Sequence, residues 1–148
     1  MDIMKMGKLH RFSRLHLRRN IYEKIIRSSD LISLEHLPVQ DLINFCYTYG
    51  VFKRAVECLS TGIGFGTDFG GFTFWSDLDE YDKTFYEEEF IGTEIEYGDN
   101  SVIIYYDILF HYLKLAVKRY IEQNPHDEQE VEKYLEDMKR NLNIEEKI

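Results

Sequence analysis

The sequence predicts an α+β fold in a single domain, with helices at the N-terminal end, a small antiparallel sheet in the middle and two helices at the C-terminal end. Two observations predict this fold. Apolar residues recur every three or four positions on both sides of the chain's centre, whereas the centre itself is rich in glycine, aromatic and alternating residues. Such an order of elements is typical of α+β proteins. At 148 residues, the chain is long enough to build one core.

The chain is basic at its start and acidic afterwards. Residues 1–27 contain eight lysines and arginines against two acidic residues, a net charge of +6, whereas the whole chain carries −9. We predict that residues 1–30 are a basic extension, disordered or weakly docked, and that residues 31–148 form the α+β domain. The other interpretation of the extension is a basic amphipathic helix that contacts RNA or a membrane. The acidic character of the remaining chain favours the first interpretation.

The start of the chain lacks the continuous apolar core and the small-residue cleavage site of a secretory signal. No apolar stretch approaches the roughly 18 residues that a membrane span requires. The sequence therefore predicts a cytoplasmic protein without a membrane partner. Cys46 and Cys58 lie in one helical stretch, and we expect both to be reduced core thiols rather than a disulfide.

Helical spacing begins at Pro38, a residue suited to the first turn of a helix. The pattern continues past Gly50, which predicts one long helix or two abutting helices. Gly62 ends this region, because glycine readily takes the left-handed conformation of a helix C-terminus. The apolar positions of the pattern are Val39, Leu42, Ile43, Cys46, Tyr47, Phe52, Ala55, Val56 and Leu59.

Strands replace helices after Gly62. The segment GIGFGTDFGGFTFW has five glycines and five aromatic residues in fourteen positions, a composition typical of short strands and tight turns. Farther along, Ile95 alternates with Glu94 and Glu96, a turn follows at residues 98–100, and SVIIYY resumes with β-branched and aromatic residues. This pattern predicts an antiparallel hairpin with Ile95 on one face and the two glutamates on the other.

Two helices complete the predicted domain. Asp107 is placed to cap a helix that ends before Pro125, and Asp127 with Glu130 has the spacing of a capping box for the last helix. The positions predicted to be buried are Leu109, Phe110, Leu113, Ala116, Val117, Tyr120, Val131, Tyr134, Leu135, Met138 and Leu142.

The middle of the chain is strongly acidic. Between Asp68 and Asp107 there are twelve carboxylates and one cation, Lys83. This charge repels a phosphate backbone, so we predict no nucleic-acid partner. It predicts a cationic protein as the partner, because electrostatic complementarity between two surfaces raises the association rate and disfavours partners of the wrong charge.

Signatures of catalysis are missing from the sequence. The glycine spacing fits neither common phosphate-binding pattern, no histidine has a metal-binding spacing, and neither cysteine has a nucleophile signature. Asp77, Asp79 and Glu88 match three positions of a calcium loop, but Tyr81 and Asp82 do not fit the positions between them. We predict no catalytic residues, no metal and no cofactor, and a protein that is not an enzyme. The alternative is a small metal-dependent hydrolase that uses the acidic run DLDEYDKTFYEE, residues 77–88.

Aromatic residues are frequent in the same stretch of the sequence as the carboxylates. We predict that Trp75 and Tyr81 are anchors at a protein interface, where a rigid aromatic side chain ringed by charges is a common hot spot. The predicted binding residues are Trp75, Asp77, Asp79, Glu80, Tyr81, Asp82, Glu94 and Glu96. The alternative for three of them is structural: Asp77 and Asp82 would cap turns, and Trp75 would belong to the core.

The segments FGTDFGG and DLDEYD and the helix after the last hairpin resemble the immunity proteins of bacterial contact-dependent growth inhibition (CDI) systems, in the ribonuclease-toxin branch. The resemblance covers about Leu34 to Met138 and leaves out residues 1–27. It implies a protein that binds and neutralises, in the cytosol, the C-terminal ribonuclease toxin domain of its own cell's surface exoprotein. A ribonuclease site is cationic because it attracts phosphates, and carboxylates suit its inhibitor. An acidic adaptor for another basic protein is a further alternative.

Overall fold

A computed structural model describes residues 24–146 of the chain. Helices and strands follow the predicted order: α1 (Leu37–Thr48), α2 (Phe52–Ser60), β1 (Phe65–Gly66), β2 (Gly70–Phe74), α3 (Glu80–Lys83), β3 (Thr93–Tyr97), β4 (Asn100–Ile104), α4 (Tyr106–Gln123) and α5 (Glu128–Asn141). The predicted α+β fold, with a central antiparallel sheet and two C-terminal helices, is confirmed.

The first helical region consists of two helices. Gly50, with a φ of +76°, lies between α1 and α2, and Gly62, with a φ of +77°, follows α2 as the sequence predicts. Cys46 and Cys58 are both free thiols. Cys46 is buried, and this burial raises the pKa of its thiol to about 12, whereas Cys58 is only half-buried.

The sheet is an antiparallel meander in the order β1-β2-β3-β4. Its last hairpin turns at Gly98 and Asp99, and a positive φ at Gly98 alone fits a type II′ turn. One face, here called the inner face, contributes Phe72, Phe74, Ile95 and Ile104 to the same core as the helices. The opposite face, here called the outer face, carries the side chains of the alternate residues.

Residues 24–30 pack against the helical layer. Ile25 and Ile26 are buried, and the side chain of Asn44 accepts hydrogen bonds from both of their backbone N–H groups at 3.0 and 2.9 Å. Asp30 pairs with Arg119 on α4 at 2.6 Å, which holds the pKa of Asp30 below its usual value. The predicted division at residue 30 stays a prediction, and residues 1–23 of the extension lie outside the described residues.

Two capping predictions are wrong. Helix α4 begins two residues earlier than expected, so Asp107 lies inside its first turn and Tyr105 takes the cap position. Asp127 does occupy the cap position of α5, but its carboxylate caps no backbone N–H. It accepts instead from the Tyr120 hydroxyl at 2.6 Å and from Lys53 Nζ at 3.2 Å. These tertiary hydrogen bonds use the carboxylate that the local motif predicts as the helix cap.

The buried positions predicted for α4 are all buried, and Tyr112 joins them. On α5, Val131 and Met138 are buried, while Tyr134 and Leu135 are half-buried. Within residues 24–146, no helix combines the length and the apolar character needed to cross a membrane.

Substitution of Ile95 tests the assignment of the two sheet faces. Ile95 is 0% exposed, whereas Ile103, which lies opposite Glu94 on the outer face of β4, is 44% exposed. We expect Ile95→Ala to lower the free energy of unfolding by roughly 2 to 5 kcal/mol, because it leaves a cavity in the core. Ile103→Ala is the matched control, with an expected loss under about 1 kcal/mol. Urea unfolding measures both, and equal losses would contradict the assignment.

Candidate protein-binding surface

An 18-residue excursion, residues 75–92, connects β2 to β3. It begins with a 3-10 turn at Trp75–Asp77, where the Asp77 carboxylate accepts hydrogen bonds from the N–H of Phe74 at 2.7 Å and of Gly64 at 3.3 Å. Gly64 must be small there, because a Cβ atom would lie 2.3 Å from the backbone oxygen of Phe72 and 2.5 Å from a carboxylate oxygen of Asp77. Asp77 therefore ties the start of the excursion to the loop before β1.

The short helix α3 has its own cap. Asp79 stands at the cap position, and its carboxylate accepts the N–H of Asp82 at 2.7 Å. Lys83 pairs with Glu80 at 3.4 Å, but the Glu80 side chain is 94% exposed. Exposed pairs of this kind contribute little to stability. Asp79 thus orders the helix, while Glu80 and Asp82 stay open to solvent.

Trp75 belongs to an aromatic cluster inside the excursion. Its ring meets those of Tyr86 and Phe90 edge to face, with centroids 5.7 and 5.3 Å apart. Lys83 Nζ lies 5.6 Å from the centre of the Trp75 ring. The side chain is half-buried, so the predicted anchor also holds the excursion together.

Tyr81 is much more open. It is 70% exposed and packs edge to face against Phe85, which is also 70% exposed, with centroids 5.2 Å apart. Phe85 is not among the binding residues that the sequence predicts. The spacing of four residues from Tyr81, which places both rings on one side of a helical turn, is the signal that could have found it.

The outer face of β3 continues the acidic character of the excursion. Ile95 points into the core, Glu94 is half-buried and Glu96 is exposed, as the alternation predicts. The hydroxyl of Tyr86 donates to Glu94 at 2.5 Å, so the excursion is fastened onto this face. We call the carboxylates of residues 75–92, together with Glu94 and Glu96, the acidic surface.

The pKa of Tyr86 reports the negative potential of the acidic surface. The hydrogen bond to Glu94 is the largest cause that raises this pKa to about 12, followed by burial and by the charges of Glu94, Glu96 and Asp82. The structure thus brings three of the predicted residues close to one phenol. It places Asp77 apart from them, at the base of the excursion.

Few cations compensate the acidic surface. Among the described residues, its one ion pair is Lys83–Glu80. Acidic residues elsewhere are better matched, since Asp137 pairs with Lys133 and Arg140, and both Lys114 and Lys139 contact one further glutamate, Glu146. The acidic surface is therefore dense in carboxylates without an ion pair, and such a charge attracts cationic partners.

The acidic run does not form a metal-binding site of the usual kind. Within residues 24–146, no group of three or more histidines, cysteines, aspartates or glutamates is arranged to hold a metal ion. Asp77 and Asp79, two of the residues that match a calcium loop, already accept backbone N–H groups.

A match to a known protein family, found through the sequence, covers most of the described elements. A family model described as CDI immunity protein matches residues 36–135, which include α1, α2, the whole sheet, the excursion and α4. No curated protein gives a significant match to the chain.

The bond between Tyr86 and Glu94 predicts a pH dependence. Because the pKa of Tyr86 lies above its ordinary value of 10, the stabilisation from this bond is complete below pH 10 and is lost as the pH rises through about 12. In Glu94→Gln we expect the pKa to fall back toward 10, because the charged acceptor is gone.

NMR titration of labelled tyrosine rings measures this shift, and Tyr86→Phe identifies the signal. Glu89→Gln is the control, since Glu89 is in the excursion but is not among the groups that raise this pKa. An unchanged pKa in Glu94→Gln would contradict the contact.

Proposed function

The chain belongs to the CDI immunity protein family, and on that premise we propose that it neutralises a ribonuclease toxin by covering the toxin's cationic RNA-binding site with the acidic surface. Membership of the family assigns it immunity against a CDI toxin. The ribonuclease identity of the toxin and the use of the acidic surface are the parts that we add.

The observation that carries this proposal is the concentration of uncompensated carboxylates. The segment between Asp68 and Asp107 holds twelve carboxylates and one cation, and that cation pairs with a single exposed glutamate. A ribonuclease must attract phosphate groups, so lysine and arginine side chains line its active site. Carboxylates can replace the phosphates in charge-assisted hydrogen bonds to these side chains.

The residues of the surface divide into two roles. Asp77, Asp79 and Trp75 hold the excursion in shape through backbone bonds and ring contacts. We propose that the other groups, Glu80, Tyr81, Asp82, Glu94 and Glu96, make the main contacts with the toxin. Phe85 extends the aromatic anchor formed by Tyr81.

A fixed surface also favours tight binding. Glu94 is held by Tyr86, and its strand is paired on both sides in the sheet. Side chains that are ordered before binding lose less conformational freedom in the complex. We propose that the partner is the C-terminal domain of the exoprotein encoded beside this chain's gene, and that the two meet in the cytoplasm.

Removal of one exposed carboxylate tests the acidic surface. We expect Glu96→Gln to weaken the binding of the toxin domain by roughly 2 to 5 kcal/mol if the charge is buried against a toxin lysine or arginine. The matched control is Glu136→Gln, an exposed carboxylate on α5, which should leave the affinity unchanged within about twofold.

Titration calorimetry measures the affinity of both variants, and thermal unfolding verifies that they are folded. Equal affinities for Glu96→Gln, Glu136→Gln and the unmodified protein would contradict the use of this surface. A toxin domain without ribonuclease activity would contradict the assigned class of toxin.

A further inference from the structure

Strand β4 is an edge of the sheet, with β3 as its neighbour. The two-residue turn makes Tyr97 and Asn100 a hydrogen-bonded pair, and bonded pairs then recur at every second residue. Ser101 and Ile103 therefore direct their N–H and C=O groups away from β3. Within residues 24–146, no hydrogen bond reaches these four groups.

The open edge lies beside exposed apolar side chains. Ile91 is 70% exposed, Tyr105 is 68% exposed and Ile103 is 44% exposed. With Phe90, these side chains line a cavity of about 370 Å³, and the neighbouring Glu88 and Glu89 supply acidic groups at the same place. Exposed apolar groups that cluster around one cavity are typical of a binding site.

Natural sheets protect an open edge with lysine, proline, a bulge or a covering segment. Strand β4 has the sequence NSVII, without charge or proline, and it pairs with β3 in an unbroken register. An unprotected edge beside an apolar cavity is the arrangement to which an extended peptide adds as a further strand.

We infer that the edge of β4 receives an extended segment of the toxin as a fifth strand. This inference rests on the proposed function and specifies how the partner is held. An apolar side chain of the segment enters the cavity between Ile91 and Ile103, and lysine or arginine side chains beside it face Glu88 and Glu89.

The negative charge beside the β4 edge favours the toxin over a second copy of this chain as the segment that pairs with it. The edge is continuous with the acidic surface, because Ile103 lies opposite Glu94 and Ser101 lies opposite Glu96. Two copies joined at β4 would bring both acidic surfaces together in a chain that already carries −9. A basic toxin segment has the complementary charge.

Amide hydrogen exchange of the complex with the toxin domain tests the backbone pairing. We expect the amides of Ser101 and Ile103 to exchange rapidly in the free protein and at least about 100-fold more slowly in the complex. Gly66, in β1 at the opposite edge of the sheet, provides the control amide, and its exchange should not change. Unchanged exchange at both Ser101 and Ile103 in a saturated complex would overturn the inference.

Substitution tests the side chains of the same edge. Ile103→Asp should weaken toxin binding at least about tenfold, because it places a charge beside the apolar cavity. Ile63→Asp is the matched control: Ile63 is 57% exposed, lies just before β1 and should not affect binding. Equal affinities of the two variants would count against the inference.

The outcomes separate this inference from the proposed function. If Glu96→Gln weakens binding while the β4 amides and Ile103→Asp have no effect, the acidic surface stands and the edge inference fails. If the edge responds and Glu96→Gln does not, the inferred strand pairing stands and the acidic surface fails. A dimer of the free protein that already protects the β4 amides would make a second copy the occupant and overturn the inference.

Discussion

The burial of Ile95 in the inner face of the sheet is the constraint on which the rest of the structure depends. Its side chain is fully buried between Phe72 and Val102, its partners on the neighbouring strands. A shift of one residue in the register would turn Ile95 to solvent and drive Glu94 and Glu96 into the core. The same packing that stabilises the domain therefore directs both glutamates outward.

The excursion depends in turn on this orientation. Tyr86 can fasten the excursion to the sheet only because Glu94 projects from the outer face. Crowded carboxylates repel one another, and ion pairs elsewhere, such as those of Asp137 on α5, do not offset that repulsion. A cationic partner would neutralise this charge. The repulsion that destabilises the free protein would therefore be removed on binding and would make the binding free energy more favourable.

The sequence predicts the elements well because their signals are local. Spacing of apolar residues and the glycines at 50, 62 and 98 define the helices and the hairpin. The capping role of Asp127 is wrong because tertiary contacts decide it: Asp127 bonds to Lys53, which is 74 residues away. That of Asp107 is wrong because the helix begins before it, at Tyr106. Likewise, no local pattern separates half-buried Trp75 from exposed Tyr81, since the difference depends on how Tyr86 and Phe90 pack.

The central claim is that immunity results from occlusion of an RNA-binding site, and competition measures this most directly. The purified toxin domain would first bind a fluorescent RNA whose 2′-O-methyl groups block cleavage, and the immunity protein would then be added. The account predicts that the RNA is released as the protein complex forms. A stable ternary complex of toxin, RNA and immunity protein would contradict it.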